Sequence, residues 1–362
     1  MASGTGGQIA LAHIASLGSQ VDSVDVWTNF KSETLEHKLA ELEEGSITGR
    51  RDAPESHKGI DTGDGDIVLE PNPNALAHFI HAFMGTLVSS TFCDAASVGT
   101  GVATGEYYHK WTPRIFGHSQ ETFLNPNNVA VYKDVGSAFL FRGAIFPTLK
   151  FAIDAGALAG VTASIMARQV DLIDYTPVFS AGLTSPGGRP WVWDMASVEV
   201  STTGITSAAL AANTNFEKLN MTFTMPHVGV VNLDGTKLYR EFAVNDYRRI
   251  NMDGTLSFRN MDEYLAFRAY EDRRMRITLL NVNSALLLGN PASADATNFS
   301  GYYGLRFHFP KMKYLKFSAP MQGPNRITAS FTAKAQFDDV SAIMAEINMM
   351  NRVSSTFLTT QH

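Results

Sequence analysis

Polar and apolar positions alternate over short stretches through most of the chain, and Gly, Pro, Asn and Asp separate the stretches. A period of two predicts β-strands. The pattern is clearest over residues 138–146, 149–154, 160–168, 219–225, 255–259, 276–281, 303–310, 314–319 and 327–337. Turn signals fall at Asp154-Ala-Gly156, Asn232-Leu-Asp-Gly235, Asp253-Gly254 and Gln322-Gly-Pro-Asn325. Within 327–337, Ile327, Ala329, Phe331, Ala333 and Ala335 share one face; Thr328, Ser330, Thr332, Lys334 and Gln336 share the other. In 160–168, Thr162 and Ser164 alternate in the same way with Val161, Ala163 and Ile165. Strands of this kind belong to an antiparallel sheet packed on one side and wet on the other.

Helical spacing is rarer. Leu35, Leu39 and Leu42 predict an amphipathic helix over 32–44, with Ser32 as N-cap. Leu76, Phe79, Ile80 and Phe83 predict a second over 74–84, entered after Pro71 and Pro73 and closed by Gly85. Further helices are expected over 262–273 and, briefly, 339–347. Residues 45–66 are dense in Gly, Asp, Arg, Glu and Ser and read as a long exposed loop, a feature that is usually functional. Residues 176–188, rich in Gly, Pro and Ser, read as an insertion. No composition break divides the chain, so one domain over 1–362 is expected. Phe146-Pro-Thr-Leu-Lys-Phe151 and Phe309-Pro-Lys-Met-Lys-Tyr314 echo one another as two related hairpins.

Composition narrows the functional classes. The 362 residues are 44% hydrophobic, enough for a large core, and the formal charge of −6 argues against a surface built to grip nucleic acid or anionic lipid. The single cysteine, Cys93, excludes an intramolecular disulfide and a Cys-rich zinc site, and reads as a small buried thiol. No stretch has the character of an export signal or a bilayer-spanning helix, so folding in a reducing cytoplasm is expected.

A search for catalysis comes back empty. Asp61-Thr-Gly63 matches the aspartic-protease tripeptide, but it occurs once and lacks apolar flanks. Asp61, Asp64, Asp66 and Glu70 are acidic without the spacing or flanking helices of a calcium loop. His78 and His81 share a helix face with no third ligand nearby, and read as histidines on its polar border. Gly99-Thr-Gly101-Val-Ala-Thr-Gly105 has the wrong spacing for a dinucleotide fingerprint, and no nucleophile elbow or phosphate loop occurs. No catalytic residue, metal site or cofactor is expected.

Taken in order, several segments resemble the tail tube (major tail) proteins of long-tailed bacteriophages. They begin with Ser32-Glu33 and its leucine-rich continuation, the 45–66 loop, and 65–69 leading through Pro71 and Pro73 to Phe83-Met-Gly85. His109-Lys-Trp-Thr-Pro113 is similar to the family's His-x-Phe-Thr-Pro segment. Phe141-Arg-Gly143 then leads through 149–154 to 161–168, and Asp253-Gly-Thr-Leu-Ser-Phe258 precedes a helix at 263–267. Residues 305–309 and 327–337 close the series. Insertions near 176–194 and 282–299 depart from the pattern and are expected to decorate the tube exterior.

The resemblance implies a mainly β fold, a β-sandwich or split barrel of antiparallel strands with a few flanking helices. It implies a structural virion protein, not an enzyme, made and assembled in the host bacterial cytoplasm. Subunits form rings, hexameric in that family, that stack into a hollow tube through which DNA is delivered without specific binding. Implied partners are other copies of the chain, the tape-measure protein, the tail terminator, tail-tip or baseplate proteins and, where the tail is contractile, a sheath protein, with no membrane insertion. Carried onto this sequence, Arg50, Arg51, Asp52, Glu55, Lys58, Asp61 and Asp64 become inter-ring contacts on the 45–66 loop. Lys150, Asp154, Thr162, Ser164, Thr328, Ser330, Thr332 and Lys334 become lumen-facing positions on hairpins over 149–168 and 314–337. Few cations are expected in that lumen, because phosphate contacts would retain DNA. Competing readings are a tail-tip or tail-completion ring of similar fold, and a ligand-binding β-barrel or hydrolase on a β scaffold.

Overall fold

Strand pairing accounts for nearly all the regular structure. The computed structural model describes residues 7–14, 26–28, 30–43, 56–85, 87–93, 106–113, 127–133, 137–174, 190–201, 210–285, 299, 302–321 and 326–353. In chain order come β1 (Gln8–His13), β2 (Val26–Thr28), β3 (Ser32–Glu33), β4 (Glu36–Glu43) and β5 (Ser56–Leu69), then helix α1 (Pro73–Met84). β6 (Leu87–Cys93), β7 (Glu106–Trp111), β8 (Asn127–Tyr132), β9 (Ser137–Asp154), β10 (Gly160–Ala167) and β11 (Gln169–Asp174) follow. Next are β12 (Ala196–Ser201), β13 (Leu210–Ala212), β14 (Phe216–Thr224), β15 (His227–Val230), β16 (Glu241–Val244) and β17 (Arg249–Ser257). Helix α2 (Asp262–Arg268), β18 (Arg273–Ala285), β19 (Tyr302–Ser318), β20 (Thr328–Ala335) and β21 (Glu346–Asn351) complete the described elements. This is the mainly β, antiparallel architecture expected of the sequence.

Two long strands join the layers. The first half of β9 pairs with β8 and β11, and its second half pairs with β10 and β14. Gly143, at φ 58, lies where β9 passes from one set of partners to the other. β19 pairs with β18 and β21 over its first half and with β20 over its second. Stretches predicted as two strands each, 138–146 with 149–154 and 303–310 with 314–319, are therefore continuous. Pro147 and Pro310 sit within strands that change partners, where a missing N–H is tolerated.

Between the layers the core is aromatic. Phe151 of β9 and Phe223 of β14 meet Phe307 of β19 at ring separations of 4.7 and 6.0 Å. α1 plugs one side of this core, with Phe79 against Phe146 and Phe83 against Phe223. All twelve of its residues are buried. The helix forms where the sequence predicts it: the Asn72 side chain accepts from the Asn74 amide, Pro73 occupies the first turn, and Gly85 caps in the left-handed region at φ 71.

Other expectations are corrected. Residues 32–43 form β3 and β4 rather than a helix, because the segment pairs with β5 and only one of its three spaced leucines meets the core. Leu35 is buried, while Leu39 and Leu42 are exposed. The helix expected over 262–273 stops at Arg268; Tyr270 takes φ 52, and Arg273 opens β18. Residues 339–347 hold a turn instead of a helix, with the Asp338 carboxylate accepting from the Ser341 amide and hydroxyl, and β21 begins at Glu346. His78 and His81 are buried rather than at a polar border, since no side of α1 faces water. The 176–188 insertion, the Gly99–Gly105 stretch and the Gln322–Asn325 turn lie outside the described residues, as does most of 282–299.

Gly254, read as a turn glycine, lies inside β17 opposite Leu219. A Cβ there would stand 2.2 Å from the Lys218 carbonyl oxygen. Gly254→Ala is expected to lower the free energy of unfolding by about 2 kcal/mol or more through forced strand displacement, read as a reduced urea midpoint.

Candidate channel face and assembly arm

Five adjacent strands, β10, β9, β14, β17 and β20, carry one polar face. Cross-strand register builds it in rows. Thr162, Lys150, Thr222, Asn251 and Lys334 are successive neighbours in one row. Asn220, Asp253, Thr332 and Lys316 follow one another in the next. Asp154, Lys218, Thr255, Ser330 and Ser318 form a third, and Asp66, Ser164, Thr148, Thr224 and Arg249 a fourth on the opposite flank. The intervening residues, among them Leu149, Phe151, Leu219, Met221, Ile250, Met252, Phe331 and Ala333, are buried on the other face.

Partnering on this face is local. Lys218 Nζ lies 3.1 Å from the Asp154 carboxylate, and Asn220 donates to Asp253 at 2.8 Å. Lys150, Lys316 and Lys334 have no ion-pair partner among the described residues. The face thus carries more cations (Lys150, Lys218, Arg249, Lys316, Lys334) than carboxylates (Asp66, Asp154, Asp253), where the chain's negative total suggested few. Net charge describes a whole surface and says nothing about one face of one sheet.

Every residue singled out on the two hairpins lies on this single sheet: Lys150 and Asp154 on β9, Thr162 and Ser164 on β10, and Thr328, Ser330, Thr332 and Lys334 on β20. Sequence reasoning predicted strands over 219–225 and 255–259 but did not place them on this face, between the two hairpins. The signal was present as alternation of Lys218, Asn220, Thr222 and Thr224 in β14, and of Arg249, Asn251, Asp253 and Thr255 in β17.

An arm projects beyond the end of β10. β5 pairs with β10 from Leu69 to Gly63, then continues to Ser56 with β4 alone. The 45–66 loop is thus corrected over 56–66 to strand. Its polar, glycine-rich composition suits a strand with little core to pack against, and glycines 63 and 65 admit close neighbours. A Cβ at Gly63 would meet Phe141 and Val170 at 2.6 Å, and Gly65 has φ 142 against the Thr34 carbonyl. All of β4 is exposed.

Lys58, Asp61 and Asp64 lie on β5, whereas Arg50, Arg51, Asp52 and Glu55 fall outside the described residues. Asp61 receives His37 Nε2 at 2.6 Å and Lys58 Nζ at 2.8 Å. Partial burial opposes ionisation of its carboxyl, but these two hydrogen bonds outweigh burial and hold it below the usual range. Lys38 bonds Asp64 at 2.5 Å, which raises the ammonium's proton affinity. These contacts occupy Asp61 and Asp64, two of the four carboxylates that suggested calcium, and among the described residues no cluster of His, Cys, Asp or Glu is placed to hold a metal ion.

A sheet with one packed face and one charged, water-facing side, extended by a polar arm, is a surface suited to assembly. Residues 4–335 match the family of phage tail tube proteins. The chain belongs to that family. No curated protein is matched by the sequence. As a tail tube protein it is a structural component of the bacteriophage tail, and self-assembly with other tail components follows from membership. No helix among the described residues is long and apolar enough to cross a membrane.

Proposed function

We propose that the chain closes into rings, hexameric as the family resemblance implies, and that the rings stack into a hollow tube with the polar face of β10, β9, β14, β17 and β20 lining its bore. The observation that carries this reading is the continuity of that face across five strands. A polar sheet face this wide would be uneconomical in a packed core and is suited to a water-filled channel. Pairing of exposed strand edges with neighbours in a ring would satisfy backbone groups that otherwise invite aggregation.

DNA traverses the bore without sequence-specific contacts. Lysines interspersed with Asp66, Asp154 and Asp253 would offer phosphates brief, salt-screened contacts rather than a continuous cationic track. The arm formed by β4 and β5 reaches the adjacent ring, carrying Lys58, Asp61 and Asp64. The chain performs no catalysis. It works with the tape-measure protein, the terminator, tail-tip or baseplate proteins and, in a contractile tail, a sheath protein, after assembly in the host cytoplasm.

Negative-stain electron microscopy of the concentrated protein at neutral pH tests this reading. Long hollow tubes with a regular axial repeat are the expected result. Rings that never stack would favour a capping role at the tail tip or terminus.

A further inference from the structure

A second projection stands beside the arm. β15 and β16 form a two-stranded sheet of their own, joined to no other strand among the described residues. They lie within the connection from β14 to β17, so the hairpin leaves the polar face at its Thr224 and Arg249 end, the end from which the arm departs. The Asp61 amide donates to the Lys237 carbonyl at 2.9 Å, bracing hairpin against arm. The Tyr239 ring covers Gly229 so closely that a Cβ there would lie 2.4 Å away, and Tyr239 packs edge-on to Phe242 at 5.6 Å. Beyond this support the tip turns at Gly235, and Leu233 is fully exposed, with Val228 and Val231 each more than 40% exposed.

At the other end of β14, roughly 26 Å away by strand rise, a cleft of about 370 Å³ opens. Ile153, Trp193, Ala196, Val198, Phe216 and Leu219 supply its apolar lining. Trp193 is 45% exposed, and Leu158, adjoining it through the Leu158–Val192 bridge, is 50% exposed. The charges are complementary. The tip carries Lys237 and Asp234, and the cleft carries Asp194 and Lys218, with neither Lys237 nor Asp194 in an ion pair among the described residues. A molecule cannot bring opposite ends of its own strand together, but a second copy can. A contact between two different surfaces of identical chains closes into a ring when its rotation allows, and otherwise continues as an open stack; a contact directed along the tube axis is of the second kind.

We infer that the β15–β16 tip, through Val231 and Leu233, seats in the Trp193 cleft of a copy in the next ring. The inference rests on the ring-stacking reading and names a contact within it. Strand tilt in a closed barrel leaves one end of β14 directed up the tube and the other down, as this contact requires.

The test uses the full chain under conditions in which the unaltered protein forms tubes. Leu233→Asp and Trp193→Ala are expected to reduce sedimentable tubes at least about tenfold, the loss of a buried apolar contact, without lowering the melting temperature. In a Cys93→Ser background, Leu233→Cys combined with Ala212→Cys, at a position that also lines the cleft, should give an oxidised ladder of covalent multimers, absent from either single variant. Normal tubes from Leu233→Asp, or tubes of the double-cysteine protein that yield no ladder, would overturn this contact and leave stacking intact. Failure of the unaltered chain to form tubes under any condition would remove the stacking reading and the contact with it.

Discussion

Replacing residues 39–61 with an Asn-Gly turn is expected to leave a folded protein that no longer forms tubes. Lys38 and Thr62 are partners in register, so a two-residue turn can close the shortened hairpin between them. Residues 63–69 of β5 keep their pairing with β10, including Gly63 beneath Phe141 and Val170. Of the removed residues that the structure describes, 39–43 and 56–58 are exposed, Gly59 is buried and Ile60 and Asp61 are half-buried, and the ion pairs lost are Lys58 with Asp61 and His37 with Asp61. Exposed pairs contribute about 1 kcal/mol or less, so the melting temperature should move by no more than a few degrees. Tube length in micrographs and the sedimenting fraction should fall to background. Tubes of ordinary length would show that the arm has no part in stacking. A cut at 47–64, the boundary a loop reading gives, would instead strand β4 without a partner and strip Gly63 and Asp64 from the edge of β10, so misfolding and loss of stacking could not be separated.

The difference between those two cuts shows what the sequence discloses. Period-two alternation is a local property, and it placed Thr162, Ser164, Thr328, Ser330, Thr332 and Lys334 on polar faces. It did not disclose that β14 and β17 lie between the two hairpins, because order in a sheet depends on pairing between distant segments. α1 was legible because its signals, Pro73, Gly85 and the spacing of Leu76, Phe79, Ile80 and Phe83, all lie within the helix. The arm was not, because β4 and β5 have little hydrophobic face to generate a period. Leucines at 35, 39 and 42 fit a helix until pairing with β5 overrides the spacing. In β17, Gly254 marks a close approach to the Lys218 carbonyl that no local pattern distinguishes from a turn. The histidines of α1 were misjudged for a related reason: what buries them comes from β1 and β7.

Those histidines make the fold acid-sensitive in a defined window. His13 lies 3.3 Å from His78 and edge-on to His81 at 5.2 Å, and His109 of β7 bonds the Val353 carbonyl at 2.8 Å and the Asn351 side chain at 3.1 Å. Burial is the main force holding His78 well below the usual imidazole range, with neighbouring histidines adding to it. Burial likewise lowers His81 to about 3 and His109 to about 4. The folded protein therefore keeps these rings neutral in a range where the unfolded chain, titrating near 6.5, takes up protons. Stability is full above about pH 6.5 and falls as pH drops below it, by about 1.4 kcal/mol per pH unit for each ring. Glu263 acts in the opposite sense. Its burial outweighs the hydrogen bonds from Tyr314 and Asn213 and raises its carboxyl, so protonation there favours the folded state, but one carboxyl cannot offset the histidines. Urea unfolding at pH 7.5, 6.0 and 5.0 should show uptake of at least about three protons on unfolding between the last two values, because burial also lowers His227 and His308, which add to the three rings of the cluster. His81→Gln, which removes one titrating ring, should lower that slope by about one proton. Equal stability at pH 7.5 and 5.0 would show that the cluster is hydrated enough to protonate in place.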